Sequence, residues 1–493
     1  MFSGFPLLSA IVFLPLLGAL VIAVLPRSGV RAIQATAIGA FSVSLLLIIG
    51  ALAGYAYGQG GLQFVENLSW ISAWHVRYFL GVDGLSLAML ILTGVVGVIA
   101  AIASLGIKDR VKEYFLFLLL MQTGVLGVFC AQDLILFLFF FDIVLVPMYF
   151  LIAIWGGPRR EYAALKFLIY TFAGSTLMLV AVLAMYFLTG ASTFSIPALA
   201  QLVPTHLGTA AQMLIFAGIF IGLAIKLPMV PFHTWLPDAH VEAPTPISVV
   251  LAAVLLKIGG YGLIRIAVPL LPKATHEFAL TIGILGVVNI VYGALAAMAQ
   301  HDFKKLVAYS SISHMGYVLL GVAAATPLAI DGAIFVMVSH GLISAMLFLM
   351  VGVFYDRTHT RELSRLGGMY ASLPLAGTVL GFAALANLGL PTLSGFVAEF
   401  FTLAGTYSVF PVLVFIAAIG IILTAGFNLI LMHRVLMGPT RKEWANLPKV
   451  TVRELTTLVP LMAGSLFLGV VPAVLFRLIN SPAAQIVARL GGR

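Results

Sequence analysis

Two lysines lie inside stretches of the sequence that are otherwise apolar. Lys226 precedes the proline-containing segment LPMVPF, and Lys257 lies between VLAAVLL and IGGYGLI. Counted from the start of its apolar run, Lys257 is about 16 Å along a helix. This depth is near the middle of a hydrocarbon layer about 30 Å thick, where a lysine is costly and indicates a functional role. Lys226 has a simpler alternative, because a lysine at a broken helix end can extend its amine to a polar surface.

Two carboxylates occupy similarly apolar surroundings. Asp142 lies in the run LFLFFFDIVLV, and Glu399 lies in SGFVAEFF. Asp142 is about 13 Å deeper along its helix than Asp133, which is near the start of the run and suits a structural role. We expect Asp142 to pair with the cation of Lys226. The alternatives are that a hydroxyl or backbone group satisfies Asp142, and that Glu399 lies at the mouth of a surface vestibule.

Two histidines follow in the second half of the chain. His314 lies in YSSISHMGY and His340 in VMVSHGLIS. A histidine hydrogen-bonded to a neighbouring serine is common in packed helices, and a histidine that relays protons is the other interpretation. Both interpretations remain open, and the more apolar surroundings of His340 favour it as the relay.

These side chains together indicate a buried path for protons. The candidate site residues are Asp142, Lys226, Lys257, His314, His340 and Glu399. Metal binding explains them poorly, because lysine is not a usual ligand and no His/Cys/Asp cluster has ligand spacing. Burial and neighbouring charges both change the proton affinity of such groups, so a change in one can load or unload another.

Composition places these residues in an integral membrane protein. The chain of 493 residues is 62% hydrophobic and 9% charged, and its apolar runs are long enough for helices. The single cysteine excludes an internal disulfide, a zinc–thiolate site and an iron–sulfur cluster held by this chain alone. No nucleotide-binding glycine motif occurs. The net charge of +9 could suggest nucleic acid, but its distribution follows membrane topology instead.

The apolar runs predict an all-α fold of about fourteen transmembrane helices. Most of the lysines and arginines fall in odd-numbered loops, which predicts that these loops are cytoplasmic and that both termini are on the other side. The N-terminal run lacks a basic leader and predicts a retained first helix. The segment 62–83 contains Trp70, Trp74 and Tyr78 and is predicted to lie at the membrane interface rather than to cross it.

Two of the predicted helices are interrupted within the membrane. Helix seven breaks at 226–232 and helix twelve at 388–396, where prolines and glycines stop the helix. Two broken helices five helices apart predict an inverted repeat of helices four to eight against nine to thirteen. We therefore divide the single membrane domain, 1–493, into 1–113, 114–268 (repeat one), 277–437 (repeat two) and 441–493.

The motifs resemble a known family. LPMVPFHTWLPDAHVEAPTPISVVLA, ALKFLIYTFAGS, DFKKLVAYSSISHMGYVLLG and ALANLGLPTLSGFVAEF are similar to the antiporter-like membrane subunits of respiratory complex I, the proton-pumping NADH–quinone oxidoreductase. The resemblance covers predicted helices three to thirteen. Glu399 points to the M-type subunits, since related subunits tend to have lysine there.

The resemblance implies fourteen helices and proton translocation driven by electron transfer in other subunits of the cell membrane complex. FMN, iron–sulfur clusters and quinone are then expected in partner subunits, with no cofactor in this chain. It implies that Lys226 partners the acid of helix five, that Lys257 is the central lysine, that His314 and His340 link the path, and that Glu399 is its terminal acid. Neighbouring antiporter-like subunits and lipid are the expected partners, and nucleic acid is not.

One position departs from the family pattern. The acid of helix five is normally glutamate, whereas this chain has Asp142, which is about one C–C bond shorter. A direct salt bridge to Lys226 is therefore in doubt. Three rivals to a complex I subunit also remain: a subunit of a multi-chain Na⁺/H⁺ antiporter, a hydrogenase-linked or F420-linked relative, and a non-conducting membrane scaffold.

Overall fold

The computed structural model describes residues 5–490. Long apolar runs fold as helices in a membrane, because a helix pairs its own backbone N–H and C=O groups where no water is available to bind them. In chain order the helices are α1 Leu7–Val24, α2 Val30–Ala53, α3 Gly84–Ala103, α4 Val111–Cys130, α5 Leu134–Ile143, α6 Leu145–Trp155, α7 Arg160–Thr189, α8 Ile196–His206, α9 Thr209–Lys226, α10 Trp235–Glu242, α11 Thr245–Val250, α12 Leu256–Gly262, α13 Val268–Leu270, α14 Pro272–Met298, α15 Phe303–Ala324, α16 Pro327–Thr358, α17 Met369–Ser372, α18 Pro374–Leu388, α19 Ser394–Tyr407, α20 Pro411–Leu436, α21 Val452–Val470 and α22 Ala473–Ala488.

Twelve helices between residues 5 and 490 are long and apolar enough to cross a membrane, or thirteen if the bent pair α21 and α22 is one span. Two of them are composite. Leu134–Trp155 joins α5 and α6, and Thr245–Leu270 joins α11, α12 and α13 through two π-helical turns. Helix twelve, which the sequence predicts to be interrupted at 388–396, is present as the two shorter helices α18 and α19 and is not among these twelve. The predicted inverted repeat and domain divisions stay predictions.

The segment predicted to lie at the membrane interface forms an antiparallel β-ribbon. Strand β1 is Gln63–Ile71 and strand β2 is Val76–Val82, with Leu68 opposite Tyr78. Glu66 on β1 accepts a hydrogen bond from the backbone N–H of Leu8 at 2.7 Å, which fastens the ribbon to the first turn of α1. The all-α prediction therefore omitted one small piece of sheet.

Three helices form the centre of the bundle. The most apolar windows of Thr245–Leu270 and α16 are entirely buried and that of α15 is 94% buried, whereas the corresponding values for α2 and α20 are 28% and 33%. Peripheral helices therefore face the lipid and the three central helices face only protein. Lys257, His314 and His340 are on these three helices, so a charge there has no lipid or bulk water beside it.

Both predicted interruptions are present. Helix α9 ends at Lys226 and α10 begins at Trp235, and between them the backbone N–H of Val230 donates to Asn289 Oδ1 at 2.8 Å. Asn289 Nδ2 donates back to the carbonyl of Pro228 at 3.3 Å. A side chain from α14 thus satisfies backbone groups that the break has freed, as a break away from water requires.

We expect Asn289→Ala to destabilise this break. The substitution leaves the N–H of Val230 and the carbonyl of Pro228 buried without these partners, at a cost of about 1–3 kcal/mol for such an unpaired group. The measurement is the thermal unfolding midpoint of the detergent-solubilised chain. Asn446→Ala, at an exposed position, is the matched control. Equal midpoints for the two variants would contradict this role of Asn289.

Candidate functional site

The closest contact between predicted site residues joins Lys257 and His340. Lys257 Nζ lies 2.7 Å from His340 Nδ1 and also donates to the carbonyl of Ala252 at 2.6 Å. The two side chains are on central helices, and Lys257 has no exposed surface. Ala252 belongs to the π-helical turn Leu251–Leu255 that directly precedes Lys257. Single π-helical turns within α-helices are frequent at functional sites.

The path continues from His340 through His314 to Glu399. The rings of His340 and His314 have centroids 5.5 Å apart. His314 Nδ1 lies 3.1 Å from Glu399 Oε1, which is an ion-pairing distance without the alignment of a hydrogen bond. All three side chains are buried. Both histidines therefore lie close to the central lysine and the carboxylate, and Ser339 lines the same cavity as their rings.

The two histidines present their nitrogens in a particular order. Nδ1 of His340 faces Lys257 and Nδ1 of His314 faces Glu399, while neither Nε2 has a hydrogen-bond partner among the described residues. Both rings line a small cavity of about 10 Å³ with Asn387 and Glu399. That volume is close to the minimum for one water molecule in a polar cavity.

Asp142 and Lys226 form a separate and looser pair. They do not form an ion pair within 4.0 Å, and neither Asp142 Oδ1 nor Lys226 Nζ has a hydrogen-bond partner in the described part of the chain. Lys226 Nζ lies instead over the rings of Phe141 and Phe167, 5.0 and 5.6 Å from their centroids. The two charges still interact electrostatically. The shorter aspartate is therefore not compensated by a closer approach of the lysine.

The looser pair and the histidine path are held side by side by close helix packing. Helix α9, which ends with Lys226, lies against α12, which contains Lys257. A Cβ at Gly259 would lie 2.6 Å from the backbone N of Leu227 and 2.7 Å from the carbonyl O of Leu223. Only a residue without a side chain allows this approach. Lys226, Lys257 and Glu399 are all buried, so none of them faces lipid. Four of the six candidates are neighbours in one series, which is Lys257, His340, His314 and Glu399.

Sequence reasoning omitted two buried groups from the site. His240 of α10 has no exposed surface, and its ring stacks on Phe348 with centroids 4.4 Å apart. Neither of its ring nitrogens has a partner among residues 5–490, and it interacts electrostatically with Lys257 and Lys304. Lys304 is buried and donates to the carbonyl of Ala243 at 2.5 Å, although its place in a basic pair suggested a loop position.

The signals for these two residues were weak for physical reasons. The segment HTWLPDAHVE contains His240 and reads as a polar loop, and only the fold shows that the loop turns back into the bundle. Asp133, by contrast, has the expected structural role: its carboxylate accepts hydrogen bonds from the backbone N–H groups of Ile135 and Leu136 at the start of α5.

Broken helices beside buried lysines, histidines and carboxylates define an antiporter-like membrane subunit. The sequence profile described as NADH:quinone oxidoreductase/Mrp antiporter, TM, matches residues 131–424. The chain is 45% identical to NADH-quinone oxidoreductase subunit M of Rhodobacter capsulatus, covering 98% of this chain and 96% of that one. For the Rickettsia prowazekii subunit M the identity is 41%, over 95% and 96% of the two chains. The chain belongs to the NADH-quinone oxidoreductase subunit M family.

Solved structures have the same fold. A chain of respiratory complex I from Thermus thermophilus superposes with a TM-score of 0.90 at 30% identity, covering 98% of this chain and 100% of that one. A chain of the Mrp complex from Dietzia sp. gives a TM-score of 0.85 at 21% identity, over 99% and 100% of the two chains, and shows the fold alone. No group of three or more metal-ligating side chains occurs among the described residues.

The tight packing at Gly259 leads to a test of the site's architecture. We expect Gly259→Ala to force α9 and α12 apart, because overpacking by one methyl group costs about 1–3 kcal/mol. Gly39→Ala is the control, since nothing lies within 4 Å of a Cβ at that helical position. The thermal midpoint of the solubilised chain should fall for Gly259→Ala and stay or rise for Gly39→Ala. A fall of the same size in both would contradict the packing argument.

Proposed function

We propose that this chain is a proton-translocating subunit of a membrane-bound NADH-quinone oxidoreductase. The observation that carries the proposal is the series of neighbouring groups from Lys257 through His340 and His314 to Glu399. The identity to subunit M proteins over nearly the whole chain supports the assignment to this complex. NADH oxidation and quinone reduction then occur in other subunits, which hold FMN, iron–sulfur clusters and quinone.

The order of the ring nitrogens suggests how a proton moves. Lys257 gives a proton to His340 at Nδ1, and His340 releases another from Nε2, since an imidazole has one site on each side. His314 takes a proton at Nε2, across the small cavity, and releases one from Nδ1 to Glu399. Each step transfers one proton from the donor to the acceptor. Each histidine must then rotate or exchange its tautomer before the next cycle.

In this proposal, the pair of Asp142 and Lys226 regulates proton transfer at Lys257. Because Lys226 and Asp142 are not in direct contact, a movement that brings them together or separates them changes the field in the packed region beside Lys257. The effective dielectric constant is low there, so the change acts over several ångströms. Contacts with neighbouring antiporter-like subunits would transmit such a movement. His240 and Lys304 lie on the side of Lys257 from which a cytoplasmic proton would arrive.

The membrane location follows from the same assignment. We place the chain in the cell (cytoplasmic) membrane as a multi-pass protein, with both termini on the non-cytoplasmic side, because most basic residues lie in the opposite loops. A subunit of a multi-chain Na⁺/H⁺ antiporter has the same fold, as the Mrp comparison indicates. Glu399 and the higher identity to subunit M favour the oxidoreductase.

Replacement of Lys257 tests the proposal. In the assembled complex in vesicles, Lys257→Met should remove the central proton carrier and lower the number of protons moved per electron. The exposed Lys273→Met is the control and should leave the number unchanged. A scaffold without a proton path predicts that both variants pump normally, and that result would contradict the proposal. If the purified wild-type complex showed no NADH-dependent electron transfer, the chain would instead be assigned to an antiporter.

Position 142 provides a second test. Asp142→Asn keeps the shape and removes the charge, so we expect proton pumping to fall by at least about tenfold if the field at Lys226 matters. Asp142→Glu lengthens the side chain by one C–C bond and should retain pumping. The measurement is the rate of acidification of inverted vesicles, with subunit content checked by gel electrophoresis. Normal pumping by Asp142→Asn would show that this carboxylate takes no part.

A further inference from the structure

A second polar feature lies at the end of the bundle that bears the β-ribbon, away from the histidine path. It is a cavity of about 290 Å³ between the turn before β1, the end of Thr245–Leu270, the start of α8 and the last turns of α22. Its polar lining residues are Asp83, Gln132, Arg265, Gln485 and Arg489. No step of the proposed proton path uses these groups.

Arg265 is held by Asp83 and Ser86, lies over the ring of Tyr261, and keeps one of its donors unpaired. Its Nη2 contacts Asp83 Oδ1 at 2.5 Å and Ser86 Oγ at 3.4 Å. Its Nε is buried without a hydrogen-bond partner among residues 5–490. A buried donor on a charged group is costly when it is unpaired, so the guanidinium of Arg265 is not fully satisfied by its protein partners.

Arg489 adds a second positive charge to the same cavity. Its side chain is exposed and has no ion-pair or hydrogen-bond partner within residues 5–490. Burial and the positive charge of Arg265 both lower the pKa of Arg489. Two guanidinium groups therefore repel each other across the cavity, and Asp83 balances only one of them. An anion between them would relieve the repulsion and supply acceptors for both.

The rest of the cavity wall indicates what kind of anion fits. Leu62, Phe79, Ile196, Pro269 and Ile486 line it, so an apolar surface adjoins the two arginines. The cavity lies at the end of a membrane-crossing helix, where lipid headgroups meet acyl chains. An amphiphile with a phosphate beside hydrocarbon matches both parts of the lining, whereas a free inorganic ion matches only the arginines.

We propose that this cavity binds the phosphate of an anionic phospholipid, held between Arg265 and Arg489 with its acyl chains along the apolar wall. The bound lipid joins the β-ribbon, the Lys257-bearing span and α22. It thus forms part of the structure at this end of the bundle.

Photo-crosslinking in the assembled complex tests the site. A photoactivatable phosphatidylglycerol is added to delipidated complex, and peptides that carry it are mapped by mass spectrometry. We expect labelling of the cavity wall, and roughly a tenfold loss in Arg489→Gln, since a charge-assisted hydrogen bond is removed. Arg477→Gln is the matched control. Arg477 is exposed on the same helix and stacks over Tyr57 outside the cavity, at 4.9 Å from the ring centroid, so labelling should persist.

Each other result overturns the proposal. Equal labelling by photoactivatable phosphatidylcholine would show that the negative charge is not recognised. Competition by millimolar inorganic phosphate as effective as that by unlabelled phosphatidylglycerol would assign the cavity to free anions. Absence of labelling at the cavity in the wild-type complex would show that a neighbouring subunit fills it. None of these results depends on proton pumping, so the lipid site and the proposed function can fail separately.

Discussion

The arrangement of the site depends on the burial of the Lys257 amine. Lys257 is surrounded by helices that face only protein, and its Nζ has two hydrogen-bond partners, a backbone carbonyl and His340 Nδ1. A protonated lysine in such a place is stable only while these contacts persist, because its side chain has no surface exposed to bulk solvent. In the proposed function the partner histidine accepts the proton, and this transfer removes the cost of the buried charge. The same arrangement that makes the site costly therefore makes it suitable for proton transfer.

The surrounding fold can be understood as what this burial requires. The interruption after Lys226 brings His240 and the polar segment of α10 back into the bundle, and Asn289 satisfies the backbone that the interruption exposes. Gly259 allows α9 to lie directly against the lysine-bearing helix. The second interruption, before α19, places Glu399 beside His314. Each irregularity that would be a defect in an ordinary helix positions one group of the path.

Part of this arrangement could be predicted from the sequence. Lys257, Asp142 and Glu399 stand out because a charge within an apolar run has few explanations, and prolines mark the breaks because they stop a helix. The β-ribbon could not be recognised within the predicted interfacial segment, since its residues show no clean alternation of apolar and polar side chains.

The distances between side chains on different helices could not be predicted from the sequence. Lys226 Nζ lies over the rings of Phe141 and Phe167 and not in direct contact with Asp142, and only the packing of the helices reveals this. Lys304 looks like a loop residue because it adjoins Lys305, yet its side chain turns inward to the carbonyl of Ala243. Depth along a helix is a local property, whereas the choice of partner depends on how distant helices meet. The sequence therefore identified most of the groups and could not say which of them touch.

The central claim is that a proton reaching Glu399 has come from Lys257. Infrared difference spectroscopy of the assembled complex, resting against NADH-driven, can follow the protonated carboxyl band of Glu399, identified by its loss in Glu399→Gln. The account predicts that this band also disappears in Lys257→Met while electron transfer to quinone continues. A band that persists unchanged in Lys257→Met would contradict it, because Glu399 would then receive its proton by another path.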